Sequence, residues 1–184
     1  KSKKLPVTCD VAMHQLYLTD DNLEGFNSMA YVLPPLRSNT DQKALLRGLK
    51  DGTIDAIITD HAPHAEEEKD VEFCCAPNGF SGLETSLAAV ITNAYKTGVL
   101  TLDEIVTAMS TRPAQILGVD GGVLEVGGVA DITVFSTEED WTVDRKKFYT
   151  KGKTCPFDGM TLTGRAKLTV VDGEVVMRDG VVIQ

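Results

Sequence analysis

Residues 5–60 alternate between strand and helix patterns, and this order limits the possible folds to a few. Residues 5–13 are β-rich, and residues 29–37 form a short extended run that ends at two prolines. Residues 38–52 predict a helix, because leucines recur on one face between capping residues and a glycine. Residues 53–60 are an apolar run that predicts a buried strand. Strand–helix–strand order is typical of parallel βαβ units, so we expect a parallel α/β sheet.

Residues 61–82 show neither a helix period nor a strand period, and we predict a long loop there. Loops of such length in compact domains are usually functional or disordered. Two helices are predicted to follow, over residues 83–98 and 101–118. Pro113 is expected to kink or split the second helix, because proline disturbs the helical geometry of the residue before it.

The composition changes after residue 118, where Gly and Val become frequent and helical periods end. Residues 127–135 predict a strand. Residues 167–184 contain two Asp-Gly turns between β-branched runs, which is a strong hairpin signal. We therefore predict two domains, an α/β part over residues 1–118 and a small all-β module over residues 119–184.

The composition also excludes several classes of function. The formal net charge is −9 and no basic stripe carries interleaved aromatic residues, so binding to nucleic acid is not expected. No apolar run reaches the roughly 20 residues of a membrane helix, and we expect no membrane contact. The four cysteines form no C-x-x-C pair, so a structural zinc ribbon is not expected. We expect reduced thiols in a cytoplasmic protein. Adjacent Cys74 and Cys75 are not expected to bridge each other, because a disulfide would strain the peptide between them.

The predicted strand at residues 53–60 ends in the sequence TDHAPH, which crowds Asp60, His61 and His64 together. In (β/α) barrels, active sites are built at the C-terminal ends of the strands. A carboxylate beside imidazoles suits a metal-dependent hydrolase, in which the metal activates water and the carboxylate takes its proton. The spacing alone equally allows a plain helix N-terminus followed by two solvated histidines.

Several further motifs resemble those of one enzyme family, in the same order. They are VTCDVAMHQLYLTDDNL, YVLPPLRSNTDQKALLRGLKDGTIDAIITDHAPH, APNGFSGLETSL, GGVADITVF and CPFDGMTLTGRAKLTVVDGEVV. Together they resemble the C-terminal part of dihydroorotase, a cyclic-amide member of the metal-dependent amidohydrolases. The resemblance implies that residues 1–118 are the C-terminal part of a (β/α)8 TIM barrel. It also implies that residues 119–184 are the C-terminal part of a small β-sandwich module.

The resemblance implies roles for individual residues and a reaction. Asp60 would contact zinc and carry the proton during ring opening and closure. His64 would bind the substrate carboxylate, and the loop at Asn78 and Gly79 would close over the substrate with backbone groups. His61 would face away from Asp60 and support the metal site without touching the ion. The implied reaction is the reversible conversion of N-carbamoyl-aspartate to dihydroorotate in de novo pyrimidine biosynthesis.

This chain also departs from the family pattern. The family's other zinc ligands, including a His-x-His pair, would lie upstream, so we expect a fragment that is inactive alone. The family commonly has Pro-His-His where this chain has Met13-His14-Gln15, and Asn where it has Leu33. We predict that His14 is a partly buried histidine with satisfied hydrogen bonds rather than a ligand.

Two alternatives to a zinc dihydroorotase stay open at this point. One is a metal-free homologue that serves as a structural subunit. The other is a sister cyclic amidase, such as a dihydropyrimidinase, hydantoinase or allantoinase. The histidine at position 64 favours a substrate with a free carboxylate over these sister substrates. As a partner we expect a second copy in a homodimer, because part of a barrel leaves open parallel edges that need cover. A transcarbamoylase subunit stays a possible further partner.

Overall fold

The computed structural model describes residues 5–183, and their strands form two separate sheets. The strands are β1 (Asp10–Ala12), β2 (Ala56–Ile58), β3 (Ile132–Thr142), β4 (Thr161–Val171), β5 (Glu174–Arg178) and β6 (Val181–Val182). The α-helices are α1 (Asn39–Lys50), α2 (Glu66–Lys69), α3 (Ser86–Val90), α4 (Leu102–Val106) and α5 (Arg112–Leu117). β1 and β2 are parallel, whereas β3 to β6 form an antiparallel sheet in chain order.

Short helical turns of other types extend or connect these elements. The 3-10 turns are Met13–Leu16, Asp20–Leu23, Ser28–Ala30, Leu83–Thr85 and Arg145–Lys147, and the π-helical turns are Ile91–Tyr95 and Thr107–Thr111. The turn at Leu83–Thr85, α3 and the first π-helical turn follow one another, as do α4, the second π-helical turn and α5. The two helices predicted in this part of the chain are therefore confirmed, each with a widened final or central turn.

β1, α1 and β2 form the predicted βαβ unit. Helix α1 begins at a capping box, in which the Ser38 hydroxyl accepts from the Asp41 amide and the Asp41 carboxylate accepts from the Ser38 amide. The strands pair in parallel with Asp10 opposite Ala56, but each has three residues, fewer than the sequence predicts. Just before β1, the Asp55 amide donates to the Cys9 carbonyl at 2.9 Å, and the Cys9 amide donates to the Asp55 carboxylate at 3.0 Å.

Two local predictions need correction. Residues 29–37 are not extended throughout, because Ser28–Ala30 forms a 3-10 turn in which the Asn27 side chain accepts from the Met29 amide. The predicted loop at residues 61–82 contains the short helix α2. Both segments carry local side-chain caps that favour a turn over an extended chain.

Pro113 interrupts the second long helix in the way that its chemistry requires. It lies at the start of α5, directly after the π-helical turn Thr107–Thr111. Proline has no amide hydrogen to donate to the carbonyl four residues earlier, and a wider turn accommodates the missing bond. The predicted interruption is thus present as a change of helix type rather than as two separated helices.

The antiparallel sheet contains both predicted hairpins. The Asp172-Gly173 turn joins β4 to β5, and the Asp179-Gly180 turn joins β5 to β6, with positive φ at each of these four residues. β3 begins five residues later than the predicted strand at 127–135 and extends to Thr142. The small β module is therefore observed as a four-stranded sheet.

β4 packs on the helix that begins at α3. The Thr92 hydroxyl accepts from the Thr163 amide at 2.8 Å, and a Cβ at Gly164 would lie 2.9 Å from the Ile91 Cβ. One buried apolar cluster contains residues of the βαβ unit, of this helix and of β4. The position of the domain boundary near residue 118 stays a prediction.

Candidate active site

Asp60 lies just beyond the C-terminal end of β2, where the sequence predicts a functional carboxylate. β2 ends at Ile58, and Asp60 has a left-handed backbone with φ of +49°. Non-glycine residues rarely adopt this conformation, although aspartate does so more often than most. The turn leaves Asp60 exposed. Because β1 runs parallel to β2, the residues that follow β1 lie at the same edge of the sheet.

His14, which sequence reasoning did not assign to the site, lies close enough to Asp60 for the carboxylate charge to act on its ring. The residue is 1% exposed, and its Nδ1 atom has no hydrogen-bond partner among the described residues. Burial lowers the pKa of His14 to about 4, and the negative charge of Asp60 partly opposes this change. His14 is therefore neutral near pH 7 and fully buried. The prediction of a partly buried histidine with satisfied hydrogen bonds was wrong, because Met13–Leu16 turns inward over the edge of the sheet.

His61 anchors the start of the helix that follows the loop. Its Nδ1 accepts from the amides of Gly82 at 3.2 Å and Leu83 at 3.3 Å. A ring nitrogen that accepts two amide hydrogens is unprotonated, so the proton of the neutral ring lies on Nε2. The amide of Ala62 donates to the Phe80 carbonyl at 3.0 Å, which ties the TDHAPH segment to the far end of the loop.

His64 contacts the loop segment that contains Asn78 and Gly79. Its Nε2 lies 2.9 Å from the Asn78 carbonyl oxygen, and because that oxygen can only accept, Nε2 carries a hydrogen. Its Nδ1 lies 3.5 Å from a carboxylate oxygen of Glu68. Both nitrogens thus have a partner in this conformation. A protonated His64 ring would donate from each of them.

Gly79 occupies a position that a larger residue would not fit. Its φ is +102°, and a Cβ at this position would lie 2.5 Å from the Cβ of Ala62. Its amide donates to the Tyr31 carbonyl at 2.9 Å. The close approach brings the loop against the TDHAPH segment.

Lys69 is a second residue that sequence reasoning missed. It belongs to the EEEK run of α2, yet its side chain is fully buried. The ammonium donates to the Pro77 carbonyl at 2.8 Å and lies 3.5 Å from the Tyr31 carbonyl. Burial lowers the pKa of Lys69 to about 8. The ammonium therefore joins the loop before Asn78 to the turn at Tyr31. No sequence pattern marks its burial, since Lys69 directly follows three exposed glutamates.

The site residues fall into two groups. Asp60 and His14 lie at the ends of β2 and β1, whereas His64, Asn78 and Gly79 make one contact cluster in the loop. Leu33, which replaces the family's Asn, is 53% exposed. Cavities of about 490 Å³ beside Trp141 and about 780 Å³ beside Met109 lie elsewhere in the fold.

The residues present do not by themselves fit a zinc centre. Within residues 5–183, no group of three His, Cys, Asp or Glu side chains could hold a metal ion. A catalytic zinc takes about three protein ligands, and Asp60 supplies one carboxylate. This chain alone therefore lacks the ligands that a catalytic zinc needs.

A sequence profile described as "Amidohydrolase family" matches residues 7–176. The chain belongs to this family. It is 45% identical over 183 residues to the dihydroorotase of Acetivibrio thermocellus, covering 100% of this chain and 43% of that protein. It is 48% identical over 180 residues to the dihydroorotase of Geobacter sp., covering 98% of this chain and 42% of that protein. The resemblance to dihydroorotases that the motifs predict is thus confirmed.

Solved structures of the family share the fold. The L-hydantoinase of Arthrobacter aurescens has a TM-score of 0.93 and 35% identity, covering 100% of this chain and 42% of that one. The D-hydantoinase of Thermus sp. has a TM-score of 0.89 and 27% identity, covering 99% of this chain and 42% of that one. The chain therefore spans less than half the length of the proteins it matches, and its fold is that of an α/β amidohydrolase segment.

Proposed function

We propose that the intact protein containing this chain is a dihydroorotase of de novo pyrimidine biosynthesis. It would catalyse the reversible conversion of N-carbamoyl-aspartate to dihydroorotate. The observation that carries the proposal is the exposed Asp60 at the end of a parallel strand, in a chain that is 45–48% identical to two dihydroorotases over almost its whole length. The contact cluster of His64, Asn78 and Gly79 supports this loop as the part of the site that would bind the substrate.

Asp60 is the proposed proton carrier. In ring opening, water adds to the ring carbonyl, the bond from that carbon to the ring nitrogen breaks, and the nitrogen leaves with a proton. The Asp60 carboxylate would take the proton from the attacking water and return it to the departing nitrogen. The reverse sequence closes the ring. Exposure of Asp60 beyond the strand end suits contact with a bound molecule.

His64 is the proposed contact for the substrate carboxylate. A protonated ring offers two donors, and the loop already uses Nε2 to reach the Asn78 carbonyl. Substrate binding would therefore exchange the Glu68 carboxylate, 3.5 Å from Nδ1, for the carboxylate of the substrate. Backbone groups at Asn78 and Gly79 would contact the same molecule from the loop.

The proposed cofactor is zinc, which would polarise the substrate carbonyl and supply hydroxide when bound. Its other ligands would have to come from the rest of the intact protein, upstream of this chain. Asp60 would be one ligand, and His61 would support the segment from behind through its bonds to Gly82 and Leu83. We further propose a cytoplasmic homodimer, with a transcarbamoylase as a candidate partner. None of the helices in residues 5–183 could span a membrane.

A hydantoinase or dihydropyrimidinase activity is the second candidate, because the L-hydantoinase shares this fold with a TM-score of 0.93. The two candidates differ in the substrate group that His64 would meet. Dihydroorotate has a free carboxylate, whereas hydantoin and dihydrouracil have none. His64→Ala should therefore weaken dihydroorotate turnover strongly and leave the turnover of hydantoin unchanged.

The test uses the intact protein with zinc content measured alongside hydrolysis of dihydroorotate, hydantoin and dihydrouracil. We expect bound zinc, a clear preference for dihydroorotate, and loss of activity in Asp60→Asn by roughly 10²-fold or more, in the range of positioned acid–base groups. Preference for hydantoin would favour the second candidate. A folded protein with no zinc and no turnover, unaffected by Asp60→Asn, would instead indicate a metal-free structural subunit.

A further inference from the structure

Cys74 and Cys75 form an exposed pair of thiols in the loop before Asn78. Their Sγ atoms lie 3.8 Å apart, and both residues are exposed. The backbone forms a tight turn here, in which the amides of Cys75 and Ala76 both donate to the Glu72 carbonyl, at 2.8 and 3.1 Å. The tight turn brings the two neighbouring side chains to the same side, where solvent reaches both sulfur atoms.

The other two cysteines lie in different surroundings. Cys155 is buried, and burial raises the pKa of its thiol to about 11. Cys9 is exposed, but its thiol donates to the Thr53 carbonyl at 3.1 Å. Cys9 therefore offers one accessible sulfur, whereas the pair at Cys74 and Cys75 offers two sulfurs at chelating distance.

The geometry of the pair favours a bridging atom over a direct disulfide. A disulfide bond is about 2.05 Å long, so the two sulfurs would have to close from 3.8 Å and strain the peptide between them. An atom that bonds to both sulfurs leaves them unbonded to each other and needs a smaller movement. Soft thiolate ligands select soft, thiophilic centres.

We propose that Cys74 and Cys75 are a binding site for monosubstituted trivalent arsenicals. Such a compound already has one bond to carbon and needs only two sulfur ligands to complete its coordination. In the reaction, R–As=O and two thiols give R–As bonded to both sulfurs, and one water is released. Two As–S bonds form, the As–O bond breaks, and both thiol protons leave with the oxygen. Arsenic stays trivalent, so no oxidant or reductant is required.

The site can affect catalysis through the loop that follows it. Pro77 accepts a hydrogen bond from the buried Lys69 ammonium, and the Asn78 carbonyl contacts His64. Phe73, on the other side of the pair, packs on Tyr31 with ring centroids 4.9 Å apart. An arsenical bound at Cys74 and Cys75 therefore lies within a loop held at both ends. We expect the bound arsenical to inhibit catalysis, and this expectation rests on the proposed function. The binding of the arsenical to the two thiols does not depend on it.

Phenylarsine oxide is the probe for the test, added to the intact protein and to its Cys74→Ser, Cys75→Ser and Cys9→Ser variants. Mass spectrometry should detect an adduct that peptide mapping assigns to the loop, released by a dithiol but not by an equal excess of a monothiol. Either pair variant should lose at least tenfold in affinity, because one sulfur no longer chelates. Cys9→Ser is the matched control, since it removes an exposed thiol outside the pair, and its affinity should be unchanged.

Three results would overturn the proposal: equal binding by Cys74→Ser, an adduct located only at other residues, or a protein whose pair is already bridged before arsenical is added. All three variants replace exposed side chains, so loss of folding is not expected, and circular dichroism checks this directly. Dihydroorotate hydrolysis measured in parallel should fall on arsenical binding and recover with dithiol. A protein that binds the arsenical yet has no such activity would contradict the proposed function while leaving the thiol site intact.

Discussion

Substitution of Gly79 by alanine tests how the loop is held against the TDHAPH segment. Two costs add at this position. An L-residue at a φ of +102° has a strained backbone, which costs roughly 1–2 kcal/mol. The new Cβ would also lie 2.5 Å from the Ala62 Cβ, and relief of such overpacking costs roughly 1–3 kcal/mol. Together these terms predict that Gly79→Ala lowers the free energy of unfolding by roughly 2–5 kcal/mol.

Gly121→Ala is the matched control for this experiment. Gly121 has a similar φ of +115°, but a Cβ there would meet no atom within 4 Å. Its substitution should therefore cost only the backbone strain, roughly 1–2 kcal/mol. The difference between the two variants isolates the contact with Ala62.

The assay is urea denaturation of the intact protein, combined with the KM for substrate. If the loop yields instead of unfolding, the cost will appear as weaker substrate binding, because Asn78 and Gly79 move away from Ala62 and His64. The reasoning is refuted if Gly79→Ala matches Gly121→Ala in both stability and KM. In that case the loop would not be packed against the TDHAPH segment in solution.

The remaining predictions concern charge and access to thiols. Burial depresses the pKa of Lys69 from 10.5 to about 8, so between these pH values the unfolded state binds more protons than the folded state. The free energy of unfolding therefore rises as the pH increases from about 8 to 10.5, and this gain is lost as the pH falls back to about 8. Lys69→Met should therefore flatten the rise in stability over this interval in thermal melts, whereas Lys147→Met, at an exposed site, should not. Cys155 should react with a thiol reagent such as Ellman's only on unfolding, because its thiol is buried with a pKa of about 11, and reaction in the native protein as fast as that of Cys9 would contradict this. Arg145 donates to two carboxylates from a side chain that is 21% exposed, and Arg145→Met should lower the free energy of unfolding by roughly 1–3 kcal/mol. A loss below about 0.5 kcal/mol, the scatter of neutral surface changes, would show that these pairs are solvated.

The sequence alone determined the elements that short-range bonds hold together. Helix α1 has its capping box within four residues, and the hairpin turns at Asp172 and Asp179 need only the flanking β-branched runs. The strand before Asp60 is marked by its own apolar run. In each case the stabilising partners are close neighbours in the chain, so the spacing of residue types contains the information.

The tertiary structure decided how the loop and the residues after β1 complete the candidate site around Asp60. The burial of His14 beside Asp60, the contact between His64 and Asn78, and the ammonium of Lys69 on Pro77 join separate segments. No repeating pattern in the sequence marks these contacts, because each forms between separate segments that meet only when the chain packs. Residue identity does not show whether a histidine, a lysine in an acidic run or a glycine is exposed or buried. Only the packing of the loop against the parallel strands settles which of them is buried, and with it their pKa values and hydrogen-bond partners.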